Sequence, residues 1–510
     1  MKQRIFFAIL LLLLFFEGLF AKEKPTQVFY EISPFVQNNE AKLKISLSFQ
    51  GGKTGETMIK LPLEFGGQEQ LYKCVRNLRV TTPNAKLSET DKPEIKKITH
   101  SPNEKITLEY ELVQDWEGNP NSGGASQNAG GGYRPIIKSD YFHVLGNGAW
   151  ILPDLKEDAK LTVSIVWSNF PKEWKWANSF GANQTKQTFQ TDSGSFLSSV
   201  FVGGDFRVNQ KLVNGKPIVV ALRGKWNFTD DEFTNLVQKV IEVERKFWND
   251  FNHPYYLVTA IPLEGKNSYS FGGTGLTDSF ATFMTTNAKL DNISSLLSHE
   301  YFHNWNTIAF GGMKEPEALL YWFSEGFTDY YAYRLLFRAG LIDAERYLAQ
   351  YNEFLTDYYL SDVRNEGNQR VLADFFKDYG VGKLPYRRGF LLATKWNQII
   401  MQQSNGKKSL DDVMKDIFRD AKKGKIKQIS KEYLLNLFAK YANYNFATDI
   451  EKYVENGETI GDFNGVFGNC VENFEVKKGK FELGFDFEKS RTAKIISELI
   501  SNSAAFEAGL

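Results

Sequence analysis

The residues best placed to do chemistry lie in the stretch "SLLSHEYFHNWN", positions 295–306. His299 and His303 stand four residues apart, so on a helix they are separated by one turn plus about 40° and both imidazoles leave one face. Such a pair can grip a single ion. Glu300 is rotated by about 100° from His299, close enough to reach a water on that ion without ligating it. A hydrolytic zinc site takes three protein ligands and keeps a fourth position open for water. The third ligand is expected from "EPEALLYWFSEGFTDYYAYRLLFRAG", positions 315–340, where Glu325 falls mid-helix after a run of Leu, Tyr and Trp. A carboxylate in so apolar a setting is costly unless paired or coordinated. Asp329 is one turn further on the same face and suits a hydrogen bond from a ligating imidazole, which would fix its tautomer. The implied cofactor is one Zn²⁺ per chain.

These side chains need elements to hold them. The first helix is expected to be capped by Asp291 and to turn Ile293, Leu296, Leu297 and Phe302 inward. The second is expected to begin at Pro316 and stop at Gly340. Upstream, from about Gln27 to Leu222, runs such as "AKLKISLSF", "EKITLEYEL" and "KLTVSIVW" alternate with a period of two, which predicts antiparallel strands in a β-rich domain. The Gly/Asn/Ser-rich stretch 116–135 reads as a flexible surface excursion. The pattern then changes. Thr229 or Asp230 can cap a helix with Phe233, Leu236, Val237, Val240 and Ile241 at helical spacing. The strand-like "YYLVTAIPL", a Gly-rich turn and mostly helical sequence to about Asn456 follow. The last stretch, from Gly479, returns to strand alternation and reads as the opening of a further domain that the chain does not complete.

At 510 residues the chain exceeds a single core, and about 100–200 residues per domain suggests three. Lys+Arg and Asp+Glu both total 61, so no net field favours nucleic acid. Aromatic residues reach 15%, which predicts aromatic cores, with a cleft for apolar side chains as the sharper alternative. Lys2 and Arg4 precede an apolar run from Ile5 to Phe16, and small residues near Ala21 follow. That is the layout of a secretory signal peptide. The run is shorter than the ~20 residues that span a bilayer, so export to the periplasm or outside is expected, with no stable membrane span after cleavage and an uncleaved anchor as the alternative. Cys74 and Cys470 fall in different predicted domains and are expected as unpaired thiols.

HExxH followed by a helical Glu is the gluzincin arrangement. The longer strings "HEYFHNWN" and "WFSEGFTDYYAYR" resemble the glycyl aminopeptidase family of exported metallopeptidases. The resemblance implies a multidomain α+β chain: a signal peptide (1–21), an N-terminal β-rich domain (22–225), a thermolysin-like, mostly helical catalytic domain (226–458) and a PDZ-like β segment (459–510). The ending "SNSAAFEAGL" is similar to a "SPAxxAGL" stretch of PDZ domains, which implies that the segment is incomplete. By the same resemblance His299, His303 and Glu325 are zinc ligands and Glu300 the general base. "LPYRRGFLLATKW" resembles the family's "PYxxGxLLA" and implies that Tyr386 stabilises the oxyanion.

One stretch departs from the pattern. In "SFGGTGLTDSF" Thr277 stands where related aminopeptidases carry a glutamate that grips the substrate's α-amine, and Asp278 follows as the candidate substitute. Gly272, Gly273 and Gly275 suit an edge strand that pairs with an extended peptide. No P-loop Lys accompanies these glycines, so a phosphate loop is excluded. The expected activity is that of a zinc peptidase acting on peptides or proteins, as an aminopeptidase. An endopeptidase, and a non-catalytic peptide-binding scaffold with a degenerate peptidase fold, are the alternatives.

Overall fold

A computed structural model describes residues 24–121, 133–265, 269–461, 463–468, 470–479 and 482–510. The signal-like leader and the middle of the 116–135 stretch lie outside the described residues. The chain divides into two compact units, residues 1–304 with 331–343, and residues 305–330 with 344–510.

In the first unit the predicted alternation becomes strands. A six-stranded sheet is built from β1 (Thr26–Gln37), β2 (Glu40–Gln50), β3 (Val75–Val80), β4 (Lys105–Val113), β5 (Lys160–Trp167) and β6 (Lys186–Asp192), in the order β6-β5-β1-β2-β4-β3. β5 buries every second residue, as its alternation demands. The expectation of purely antiparallel pairing fails at β1 and β5, which run parallel. Parallel neighbours need a long crossover, and the chain between Gln37 and Lys160 supplies it. A four-stranded and a five-stranded sheet complete the domain.

The aromatic excess goes mainly into cores. Trp167 stacks on Phe142 at 5.3 Å and on Trp176 at 5.0 Å. The buried hydroxyls of Tyr30 and Tyr110 donate to the carbonyls of Ile151 and Ala149, so these rings bury without an unpaired polar atom.

A second five-stranded sheet is made of β7 (Arg207–Val213), β8 (Lys216–Leu222), β9 (Tyr256–Leu263), β10 (Phe271–Leu276) and β11 (Ser279–Thr285), in the order β7-β8-β9-β11-β10. Its first two strands precede residue 226, so this sheet begins near Arg207. Alternation reports that a strand exists, not which sheet it joins. β8, β9 and β11 are parallel, while β10 lies at the edge, antiparallel to β11. Val219, Leu257, Ile261 and Phe283 of this sheet share one core with Tyr141, Leu145 and Val202 of the β-rich domain. That core fixes where the edge strand sits.

Between β8 and β9 runs α1 (Asp230–Trp248), capped by Thr229 rather than Asp230: the Thr229 hydroxyl accepts from Glu232 N–H while the Glu232 carboxylate accepts from Thr229 N–H. The remaining helices used below are α2 (Leu290–Phe302), α3 (Tyr321–Arg338), α4 (Ala344–Leu360) and α5 (Tyr379–Gln403). In the second unit Trp322, Phe327, Trp396 and Phe438 form an aromatic core.

Beyond residue 459 the described residues hold two short helices, Phe487–Ala493 and Ala504–Glu507, and no strand. The expected β alternation there does not form a sheet. A period of two marks a face, but a strand also needs a neighbour for its backbone. Both cysteines are free, Cys74 buried and Cys470 exposed. Among the described residues no helix is long and apolar enough to cross a membrane.

Candidate metal centre

The site is built on α2. Its cap is Lys289, which makes no side-chain bond; Asp291, expected at the cap, lies in the first turn, where its charge still favours the positive helix end. Ile293, Leu297 and Phe302 are buried as expected, and Leu296 is half-buried. α1 packs along α2 and fixes its rotation. The Phe302 ring lies 5.2 Å from Trp248, Arg245 Nε donates to the Tyr301 hydroxyl at 2.8 Å, and the Ser298 hydroxyl donates to Glu244 at 2.6 Å. Glu244 is fully buried, and burial pushes its carboxyl well above the usual carboxylate range, against the opposing pull of Ser298 and His299. A buried carboxyl against the residue before His299 is a polar anchor that the sequence did not signal.

The helix ends at Phe302, and His303 follows it with helical dihedrals (φ −60°, ψ −20°), so the four-residue spacing keeps its geometry. The Nε2 atoms of His299 and His303 stand 3.0 Å apart, with the rings at 84°. Each of these two residues and Glu325 offers a ligand atom, all within 4.8 Å of one another. Two nitrogens at zinc-binding distance from one tetrahedral ion stand about 3.3 Å apart, so a small adjustment admits the ion. Two imidazoles and a carboxylate are also the donor set of a hydrolytic zinc site. The residues therefore fit zinc.

α3 carries Glu325. Pro316 does not open this helix but precedes a tight turn, Glu317–Leu320, and α3 starts at Tyr321. Gly340 stops it as expected, in the left-handed region at φ 67°. Asn306, in the "HNWN" string, has non-helical dihedrals, is fully buried and donates to the Thr328 hydroxyl at 3.0 Å, three residues beyond Glu325. The Ser324 hydroxyl donates to Glu325 at 3.3 Å.

Next to Glu325, Gly326 touches Gly389 of α5, and a Cβ on either residue would drive into the other helix's backbone. Tyr386 is one turn before that crossing, in the second turn of α5 and directly after Pro385. Arg387 reaches Asp329 at 4.0 Å and Asp357 of α4 at 2.8 Å, a second tie between α3 and α5.

The glycines meet the site from β10. Gly275 N–H donates to the Glu300 carboxylate at 3.1 Å, and a Cβ on Gly275 would stand 3.2 Å from that oxygen. Gly273 C=O accepts from the Tyr133 hydroxyl at 3.1 Å. Gly272 precedes them on the same edge. Asp278 has a different setting. It sits in the two-residue turn between β10 and β11 at φ 43°, a conformation Asp tolerates, and its carboxylate faces His253 at 3.5 Å.

Four contributors went unread in the sequence: Glu244, Asn306, the Gly326–Gly389 pair and Tyr133. The glycine flanked by bulky residues in "WFSEGFTDYY" was a usable signal of a close helix crossing. Tyr133 had none, since nothing in its own surroundings points to β10.

Comparisons with known proteins bear on the fold and on the segment that carries the site. The M61 glycyl aminopeptidase family matches residues 292–374, which hold most of α2 and all of α3 and α4. The chain is similar to the crystal structure of an aminopeptidase N family protein from Idiomarina loihiensis, with a TM-score of 0.70 at 17% identity over 85% of this chain and 77% of that one. It is also similar to an M1 zinc metallopeptidase from Deinococcus radiodurans, with a TM-score of 0.51 at 13% identity over 86% of this chain and 95% of that one. A mutant of the latter, bound to a Tyr-Ser-Ala substrate, gives a TM-score of 0.50 at 14% identity over the same shares. At these identities the solved structures speak for a shared fold. No curated protein matches. The family match over residues 292–374 falls on the segment that carries the His, His and Glu set that fits zinc, and supports a zinc peptidase.

Proposed function

We propose that the protein is an exported zinc aminopeptidase that hydrolyses peptide bonds with water activated by Glu300. The observation that carries this reading is the convergence of His299, His303 and Glu325 with Glu300 on the same helix, hydrogen-bonded to the edge strand. Bound to these three residues, zinc supplies a Lewis acid for the scissile carbonyl and lowers the pKa of a water. Glu300 takes the proton of the attacking water and passes it to the leaving amine. Tyr386, one turn from the Gly389 crossing that seats α5 against the Glu325 turn, donates to the oxyanion as it develops. Asp329 holds a ligand imidazole in its tautomer.

Gly272, Gly273 and Gly275 of β10 align the substrate as an added strand. Export is supported by Lys2 and Arg4 ahead of the apolar run.

A second reading has its own observation. Asp278, the candidate amine anchor, lies in a turn against His253, and Thr277 carries no charge, which favours an endopeptidase. Matched peptides with free and acetylated N-termini separate the two. An aminopeptidase cleaves only the free form and releases its first residue. Equal cleavage of both forms would replace the exopeptidase reading with the endopeptidase one.

A further inference from the structure

We propose that Tyr133 is a specificity-determining residue that limits how far a peptide can pair along β10. The proposal rests on the peptidase reading above and goes beyond it by assigning a role to the β-rich domain. β10 is paired on one side only, by β11. In an antiparallel pair successive residues turn their backbone groups alternately toward the partner and away from it. Gly273 and Gly275 are two residues apart and both turn outward, because the Gly273 carbonyl accepts from Tyr133 and the Gly275 N–H donates to Glu300. These are the acceptor and the donor that an added peptide strand would use. The phenol thus stands where a peptide N–H would donate, and the carboxylate stands where a peptide C=O would accept.

Tyr133 is well held in this post. Its ring meets Phe65 edge-on at 5.8 Å and lies so close to Gly66 that a Cβ there would come within 2.7 Å of the ring. Burial, helped by the charge of Glu300, pushes the phenol up to about 12, so it remains a donor at every pH where a peptidase would work. Gly273 is itself constrained, since a side chain there would run into the Ala281 carbonyl of β11.

Glu300 bonds Gly275, so the bond to be cut lies near that residue, and Gly273 is the next outward-facing position. A peptide that ends before Gly273 leaves the Tyr133 bond intact. A longer one must displace the phenol and exchange one hydrogen bond for another, with no net gain. Tyr133 therefore removes the affinity that extra length would otherwise bring.

The test compares wild type with Tyr133→Phe, which keeps the packed ring. Two peptide series are used, one lengthened on the C-terminal side of a fixed scissile bond and one on its N-terminal side, with kcat and KM measured for each member. In one series KM for the long members should fall about tenfold in the variant, the worth of one recovered hydrogen bond, with kcat and the shortest member unchanged. An N-methyl scan of the long peptide gives an independent check: methylating the amide that faces Gly273 should cancel the gain in Tyr133→Phe and leave wild type unchanged. Wild-type cleavage with an unaltered length dependence in both series would overturn the proposal. So would an equal loss of kcat at every length, which would make Tyr133 a group acting on the reacting atoms. No cleavage by wild type at all would instead overturn the peptidase reading.

Discussion

Helix α2 and strand β10 meet at one hydrogen bond, from Gly275 to Glu300, yet they are built in opposite ways. α2 is locked from behind by Glu244, Arg245, Phe247 and Trp248 of α1, through Ser298, Tyr301 and Phe302. β10 has three glycines in six residues and a neighbour strand on one side only. In the peptidase reading proposed above, the difference separates two tasks. Ligands and a general base must be held to a fraction of an ångström, which packing supplies. A recognition edge must admit many peptides, which backbone groups without side chains allow. Chemistry should therefore be lost all at once when α2 or its ion is disturbed, and substrate choice should shift gradually when β10 is.

Removing a ligand tests the rigid side hardest. His303→Ala or Glu325→Ala should abolish hydrolysis and leave less than one zinc per chain by metal analysis, and a chelator should reproduce the loss in wild type until zinc is restored. Zinc retained at full occupancy by Glu325→Ala would break the ligand assignment.

Tyr386→Phe comes next. It should keep zinc and lower kcat by about 10²–10³-fold, the usual worth of one oxyanion donor. An unchanged kcat would return Tyr386 to plain packing.

The smallest effects contrast glycines on the two kinds of element. Gly389→Ala forces α5 away from α3 and should destabilise the fold by about 1–3 kcal/mol, seen as a lower thermal midpoint. Gly272→Ala on β10 has nothing within 4 Å of the new methyl group and should move the midpoint within about 0.5 kcal/mol of wild type. Equal shifts would contradict the contrast between a packed crossing and an open edge.

The same contrast governs what could be read from the sequence. The meeting of the His299 and His303 imidazoles was legible because a helix converts spacing into direction. Glu325 was legible only after that pair: alone it reads with Asp329 as a polar stripe, and beside two histidines a carboxylate in an apolar helix reads as coordinated. The edge strand was legible from its glycines. The Asp291 cap was not, because several polar residues near a helix start are equally able to occupy the first turn. Sheet membership of β7 and β8 was hidden, since period two is the same in either sheet. Tyr133 was hidden for a stronger reason: it meets Gly273 across 140 residues of chain, and only the folded β-rich domain brings it there. Strand alternation after Gly479 was legible as a pattern and still formed no strand among the described residues, because pairing depends on a partner.

The most direct measurement is made on Glu300→Gln, with zinc content and peptide hydrolysis determined on the same sample. The substitution keeps the shape of the side chain and its oxygen for Gly275, and removes the proton acceptor. The expected result is one zinc per chain with kcat lowered by about 10²–10⁴-fold, the range for loss of a general base. A zinc-loaded variant that hydrolyses peptides at the wild-type rate would contradict the assignment of Glu300 as the group that activates water.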